Sequence, residues 1–73
     1  GVQAYVSLSV SPKSSRAVIK RLSLLPELRQ LAAVSGEFDY VAILHAPTTR
    51  RLDALLDEIG QIDGVQRTNT SVL

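Results

Sequence analysis

Five consecutive residues, Gly36, Glu37, Phe38, Asp39 and Tyr40, concentrate the chemistry of the chain. Gly36 is free to take positive φ, Asp39 supplies a carboxylate, and the apolar run from Tyr40 to Ala46 follows at once. The stretch therefore reads as a tight turn feeding a buried strand, with the charge and the backbone access of a small-molecule site. The plainer role for Asp39 is an Asx turn, in which its carboxylate bonds nearby backbone. Gly36 is needed for either. His45, the only histidine, stands at a strand end with no second ligand at a metal-binding spacing. Asp53 and Asp57 share a helix face, without the partner group and cleft that carboxylate acid/base chemistry needs. With no cysteine, no tryptophan and no nucleophile paired with a base, the residues point to no catalytic group, no metal and no cofactor.

The rest of the chain must position that turn. Its 73 residues allow one domain, residues 1–73, with a modest core. No disulfide can reinforce it, which leaves oligomerisation as the common remedy for a small core. Eight Lys and Arg against seven Asp and Glu leave a net charge of +1, with no basic run comparable to a nucleic-acid footprint. Direct contact with nucleic acid is not expected. No apolar segment approaches the length of a membrane span and no signal-peptide pattern opens the chain, so the expectation is a cytoplasmic domain.

Residues 2–10 alternate cleanly, with Val2, Ala4, Val6, Leu8 and Val10 on one face and Gln3, Tyr5, Ser7 and Ser9 on the other, a half-buried strand. Ser11, Pro12 and Lys13 break the pattern, and Ser14 or Ser15 is placed to cap a helix. Val18, Ile19, Leu22 and Leu25 form the apolar stripe of that helix, with Arg16, Lys20, Arg21 and Ser23 outward, and Pro26 ends it. Residues 27–35 are ambiguous. Leu28, Leu31 and Ala32 have helical spacing, yet Leu28, Ala32 and Val34 also alternate. The short turn before Tyr40 favours a strand, because a hairpin needs one on each side. Thr48 or Thr49 then caps a second helix, whose stripe is Leu52, Leu55, Leu56 and Ile59 and whose expected terminator is Gly60. Arg50 and Arg51 in its first turn and Asp57 and Glu58 in its last oppose the helix dipole. Such charges are either solvated or meet a neighbouring subunit. Asp63 and Gly64 turn the chain into a last strand over residues 65–73, with Gln66, Thr68, Thr70 and Val72 alternating against Val65, Arg67, Asn69 and Ser71.

The order is strand, helix, strand, strand, helix, strand. It predicts an α+β, ferredoxin-like βαββαβ fold: a four-stranded antiparallel sheet with both helices on one face. The run from Tyr40 to Ala46 is apolar on both sides, with Tyr40, Ala42 and Leu44 opposite Val41 and Ile43, and such a strand needs two covers. Tyr5, Leu31 and Val41 or Tyr40 are expected on the bare face. Pairing two sheets face to face would cover them, giving a dimeric α/β-barrel-like assembly.

The chain resembles the effector-binding domain, also called the regulation of amino acid metabolism (RAM) domain, of the Lrp/AsnC family of transcription regulators. The resemblance rests on Ala4, Tyr5 and Val6, on Leu25 and Pro26, on Ser35 through Val41, and on Gly64, Val65, Gln66, Arg67, Thr68, Asn69, Thr70 and Ser71. It implies a homodimer through the sheet faces, rings of four dimers (an octamer), and a free amino acid bound between dimers. DNA is then contacted by a helix-turn-helix domain, for which this chain has no room. It further implies that Gly36, Asp39, Tyr40, Thr68, Thr70 and Ser71 form the amino-acid site. An amino acid presents an ammonium and a carboxylate about one carbon apart, so Asp39 is the acceptor for the ammonium and backbone N–H groups near Gly36 take the carboxylate. The hydroxyls of Thr68, Thr70 and Ser71 are adaptable donors, and Tyr40 either walls the pocket or fills the core.

The competing functions are an assembly domain that binds no ligand, a stand-alone RAM protein of amino acid metabolism, and a small monooxygenase of similar architecture. The last has only fold analogy behind it.

Overall fold

The computed structural model describes all 73 residues, Gly1–Leu73. The first strand, β1 (Val2–Val10), is followed by a 3-10 turn (Pro12–Ser14), helix α1 (Ser15–Ser23), strands β2 (Leu28–Ala33) and β3 (Tyr40–Ala46), helix α2 (Thr49–Gly60) and strand β4 (Val65–Val72). The strands form one sheet in the order β2-β3-β1-β4, and every neighbouring pair is antiparallel. This is the ferredoxin-like arrangement.

The alternation of β1 organises the molecule. Ala4, Val6, Leu8 and Val10 are buried, and they pack with Ala42, Leu44 and Ala46 of β3 beneath both helices. From α1 come Val18 and Leu22, from the turn after it Leu25, and from α2 Leu52, Leu55 and Ile59, so all thirteen buried residues form a single apolar cluster. Directly paired residues in an antiparallel sheet point to one side. Tyr40, Leu8 and Thr68 therefore form one row on the helix side, and Ala42, Val6 and Thr70 the next. On the other side Val41, Ser7 and Asn69 form a row, as do Ile43, Tyr5 and Ser71. No helix covers that second side.

Two β-bulges explain where the sequence pattern misled. In β2 the pairing steps from Leu28↔Leu44 to Gln30↔Ile43, so Arg29 is an extra residue. It returns Leu31 to the side of Leu28 at a spacing of three, the interval that imitates a helix. Leu31 consequently packs against the core instead of lying on the bare face, and so does Tyr40. Tyr5 and Val41 do lie on the bare face, Tyr5 with 42% of its surface exposed. In β4 the step from Ser9↔Arg67 to Val10↔Val65 makes Gln66 the extra residue. Val65 is thereby placed with Thr68 and Thr70 on the helix side.

The helix termini depart from expectation in two places. The Ser14 hydroxyl makes no capping hydrogen bond, because the 3-10 turn runs directly into α1 and leaves Ser14 itself in helical geometry. Ser15 spends its hydroxyl on the Tyr40 hydroxyl. Gly60 is the last helical residue of α2 and does not adopt positive φ; Gln61 closes the helix in right-handed geometry. Thr48 caps α2 as expected, accepting from the Arg51 N–H at 3.1 Å.

Candidate ligand-binding site

The loop between β2 and β3 is fastened at its base and open at its tip. The Val34 N–H donates to the Asp39 carbonyl at 2.9 Å, closing the hairpin. Asp39 then binds the end of β1 twice: its N–H donates to the Leu8 carbonyl at 2.8 Å, and its Oδ2 accepts from the Val10 N–H at 2.7 Å. The ladder between β1 and β3 ends at Leu8↔Tyr40. Val10 lies beyond that end and is nearly buried, at 5% exposure, so the carboxylate supplies the partner that the sheet does not.

Above this base, the backbone N–H groups of Gly36, Glu37 and Phe38 donate to nothing within the chain. Gly36 has φ +104°, and a Cβ built there would meet no atom within 4 Å, so the tip is approachable. The Oδ1 atom of Asp39 likewise has no partner within the chain. Three successive donors without a partner in the chain are thus followed in sequence by one carboxylate oxygen without a partner.

The other expected site residues are dispersed by the sheet register. Tyr40 is half-buried under α1, with its hydroxyl against that of Ser15. Thr68 and Thr70 share the helix side with Tyr40 but lie across β1 from it, two strand spacings or about 10 Å away. Ser71 points to the bare side with Tyr5. Within one chain, then, Gly36 and Asp39 come together, and Tyr40, Thr68, Thr70 and Ser71 do not close a cavity with them. The surface depressions lie elsewhere. A groove of about 460 Å³ between the helices is lined by Ala17, Arg21, Glu58, Gln61, Ile62 and Asp63. A smaller pit adjoins Arg29 and His45, where an Arg29 Nη2 approaches the His45 Nδ1 at 3.2 Å.

One side chain from outside the loop reaches its tip. The Arg67 guanidinium lies 4.8 Å from the centroid of the Phe38 ring and donates to Glu37 Oε1 at 3.3 and 3.4 Å. Thirty residues separate Arg67 from Glu37 in the chain, and no local spacing signals the contact.

Two of the four charges that oppose the dipole of α2, Arg51 and Glu58, have partners in the same chain, and Arg50 and Asp57 do not. Arg51 Nε donates to Glu27 Oε2 at 2.8 Å, and Arg21 Nη2 to Glu58 Oε1 at 2.8 Å. The Arg51 hydrogen bond holds the Glu27 carboxyl below its ordinary value, against the opposing effect of burial. Glu27 in turn raises the Arg51 guanidinium above its own ordinary value. The second carboxylate oxygen of Glu27 is buried without a partner.

Comparison with known proteins agrees with this architecture. Residues 3–73 match the family model of the Lrp/AsnC ligand binding domain. An HTH-type transcriptional regulator of Pyrococcus furiosus, described as uncharacterized, is 32% identical over 73 residues, covering 99% of this chain and 49% of the relative. The chain spans about half the length of the curated regulators it matches. The crystal structure of FFRP-DM1 superposes with a TM-score of 0.94 at 26% identity, over 100% of this chain and 99% of that one. The transcriptional regulator NMB0573 of Neisseria meningitidis, solved as an L-Met complex, shares the fold with a TM-score of 0.90 at 22% identity, over 100% of this chain and 49% of that one. The sheet order, the two helices on one face and the match over residues 3–73 place this chain in the Lrp/AsnC ligand-binding domain family.

Proposed function

We propose that this domain is the amino-acid-sensing and assembly module of an Lrp/AsnC-type transcription regulator acting in the cytoplasm. The observation that carries the reading is the set of unpartnered groups on the loop: the N–H groups of Gly36, Glu37 and Phe38 and, next in sequence, Oδ1 of Asp39. An α-amino acid is the complementary ligand. Its carboxylate takes the backbone donors, and its ammonium makes a charge-assisted bond to Asp39. The complex of the Neisseria regulator with L-Met supports this ligand class.

The uncovered sheet side suits a second copy of the chain. Tyr5, Ala32, Val41 and Ile43 lie there among Ser7, Asn69 and Ser71, and two such sides facing each other remove this surface from water. In the proposal such dimers assemble further into a tetramer of dimers. The amino acid binds between them, with Thr68, Thr70, Ser71 and Tyr40 contributed around it by more than one chain. The ligand acts by favouring one assembly over another, which requires differential affinity for the two. DNA is contacted by the remainder of a longer regulator.

Thermal melting against a panel of free amino acids tests the reading. A ligand at about 100 times its Kd stabilises by about 2.7 kcal/mol, which raises the midpoint of a domain this size by at least about 10 °C. One amino acid or a related group is expected to do so, and calorimetry then gives its affinity. A flat response across the panel would leave an assembly domain without a ligand.

A further inference from the structure

We infer that Arg67 is the positioning residue of the β2–β3 loop, latching its tip from across the sheet so that the free N–H groups stand in a fixed array. The inference rests on the reading of that loop as the amino-acid site. Residues 35–38 make no backbone hydrogen bond to any part of the chain, either as donors or as acceptors. The base is secured by Val34 and Asp39, but nothing in the backbone holds the tip. Its fixation falls to side chains, and the only polar or cationic partner of Glu37 and Phe38 is Arg67.

The geometry suits arginine specifically. Arg67 pairs with Ser9 on β1, so its strand lies one strand beyond β1 from the loop, and only a long side chain spans the gap. Its planar guanidinium both stacks on the Phe38 ring and directs two N–H groups to one Glu37 oxygen. A lysine would keep the charge pair and lose the planar stack. Both contacts are exposed, with 57% of the Arg67 side chain and 76% of the Glu37 side chain accessible. Each is therefore individually weak, and together they can bias a loop without contributing much to global stability. Such a latch reduces the ordering that a ligand must otherwise impose on binding.

The test compares the wild-type chain with R67A and R67K by amide ¹⁵N relaxation without ligand, and by calorimetry with the amino acid found in the melting panel. In R67A the order parameters at residues 36–38 are expected to fall from about 0.85 toward 0.6, while those of the strands and the melting midpoint stay near wild type. Affinity for the amino acid should drop about tenfold, the combined scale of an exposed cation–π contact and an exposed ion pair, with R67K between the two. Unchanged order at residues 36–38 in R67A overturns the latch. A loosened loop with unchanged affinity overturns its positioning role. If the wild-type chain binds no amino acid, the site reading itself fails, and that failure is seen in the wild type before any variant is compared.

Discussion

The carboxylate of Asp39 and the backbone N–H of Val10 are joined by a 2.7 Å hydrogen bond across the end of the β1–β3 ladder. Oδ2 completes the sheet where Tyr40↔Leu8 is the last paired position, and Oδ1 has no partner within the chain. The bond to Val10 occupies Oδ2 alone, so it leaves Oδ1 available for the proposed ligand role.

Substituting Asp39 therefore has a structural cost that must be separated from any loss of ligand. D39A leaves the N–H of the nearly buried Val10 without an acceptor and is expected to cost about 1–2 kcal/mol. D39N can retain the bond to Val10 through its amide oxygen and should cost less than half as much, while losing the charge an ammonium requires. Urea denaturation of both variants checks the order. Equal destabilisation would show that the bond to Val10 depends on charge rather than on an acceptor in place.

The two glycines with positive φ differ in what surrounds them. A Cβ on Gly64, at φ +99°, would fall 2.3 Å from the Ser14 Cβ, whereas one on Gly36 meets open space. G36A should cost only the backbone strain, about 1–2 kcal/mol. G64A adds a steric clash at the start of α1 and should exceed it by at least about 1 kcal/mol. Adding S14G to G64A removes the nearest atoms and is expected to recover part of that excess. Denaturation midpoints of the four chains decide the matter.

Stability should weaken on acidification through Glu27. Its carboxyl is held below the ordinary value chiefly by the Arg51 hydrogen bond. A depressed folded value means that the contribution is present in full above the ordinary carboxylate range and is lost as pH falls through the folded value. Compared with E27Q, the wild-type chain should be the more stable near pH 7, and the gap should close as the pH is lowered into the acid range. A gap that widened with acid would contradict the assigned sign.

Arg50 and Arg51 are neighbours in sequence with different surroundings. Arg51 is paired with Glu27, whose side chain is only 14% exposed, while Arg50 has no ion-pair partner in the chain. R50E should stabilise by about 0.3–1 kcal/mol, because it places a carboxylate at a helix N-terminus. R51E should destabilise, because it sets a second carboxylate against Glu27. Melting midpoints of the single variants would reveal the opposite signs.

The sequence made the fold legible wherever the contacts are local or periodic. The alternation of residues 2–10, the stripe of Leu52, Leu55 and Ile59, and the Thr48 cap all appear in the structure where their spacing placed them. The bulges at Arg29 and Gln66 were not legible, because an inserted residue breaks the period on which face assignment depends. Leu31 and Val65 therefore changed sides. The partners of Arg51, Glu58 and Arg67 were equally hidden, since each lies on another element at long sequence separation. At the candidate site, Gly36 and Asp39 stand out by residue type. That Asp39 already holds Val10, and that Thr68 and Tyr40 lie on opposite sides of β1, depends on a register that only the assembled sheet supplies.

Whether an amino acid is held at the tip of the β2–β3 loop is read from amide chemical shifts as the stabilising amino acid is titrated in. The largest changes are expected at Gly36, Glu37, Phe38 and Asp39, with smaller ones at Thr68 and Thr70. Changes centred on the groove between the helices, at Arg21, Glu58 and Ile62, with residues 36–39 unmoved, would contradict binding at the loop.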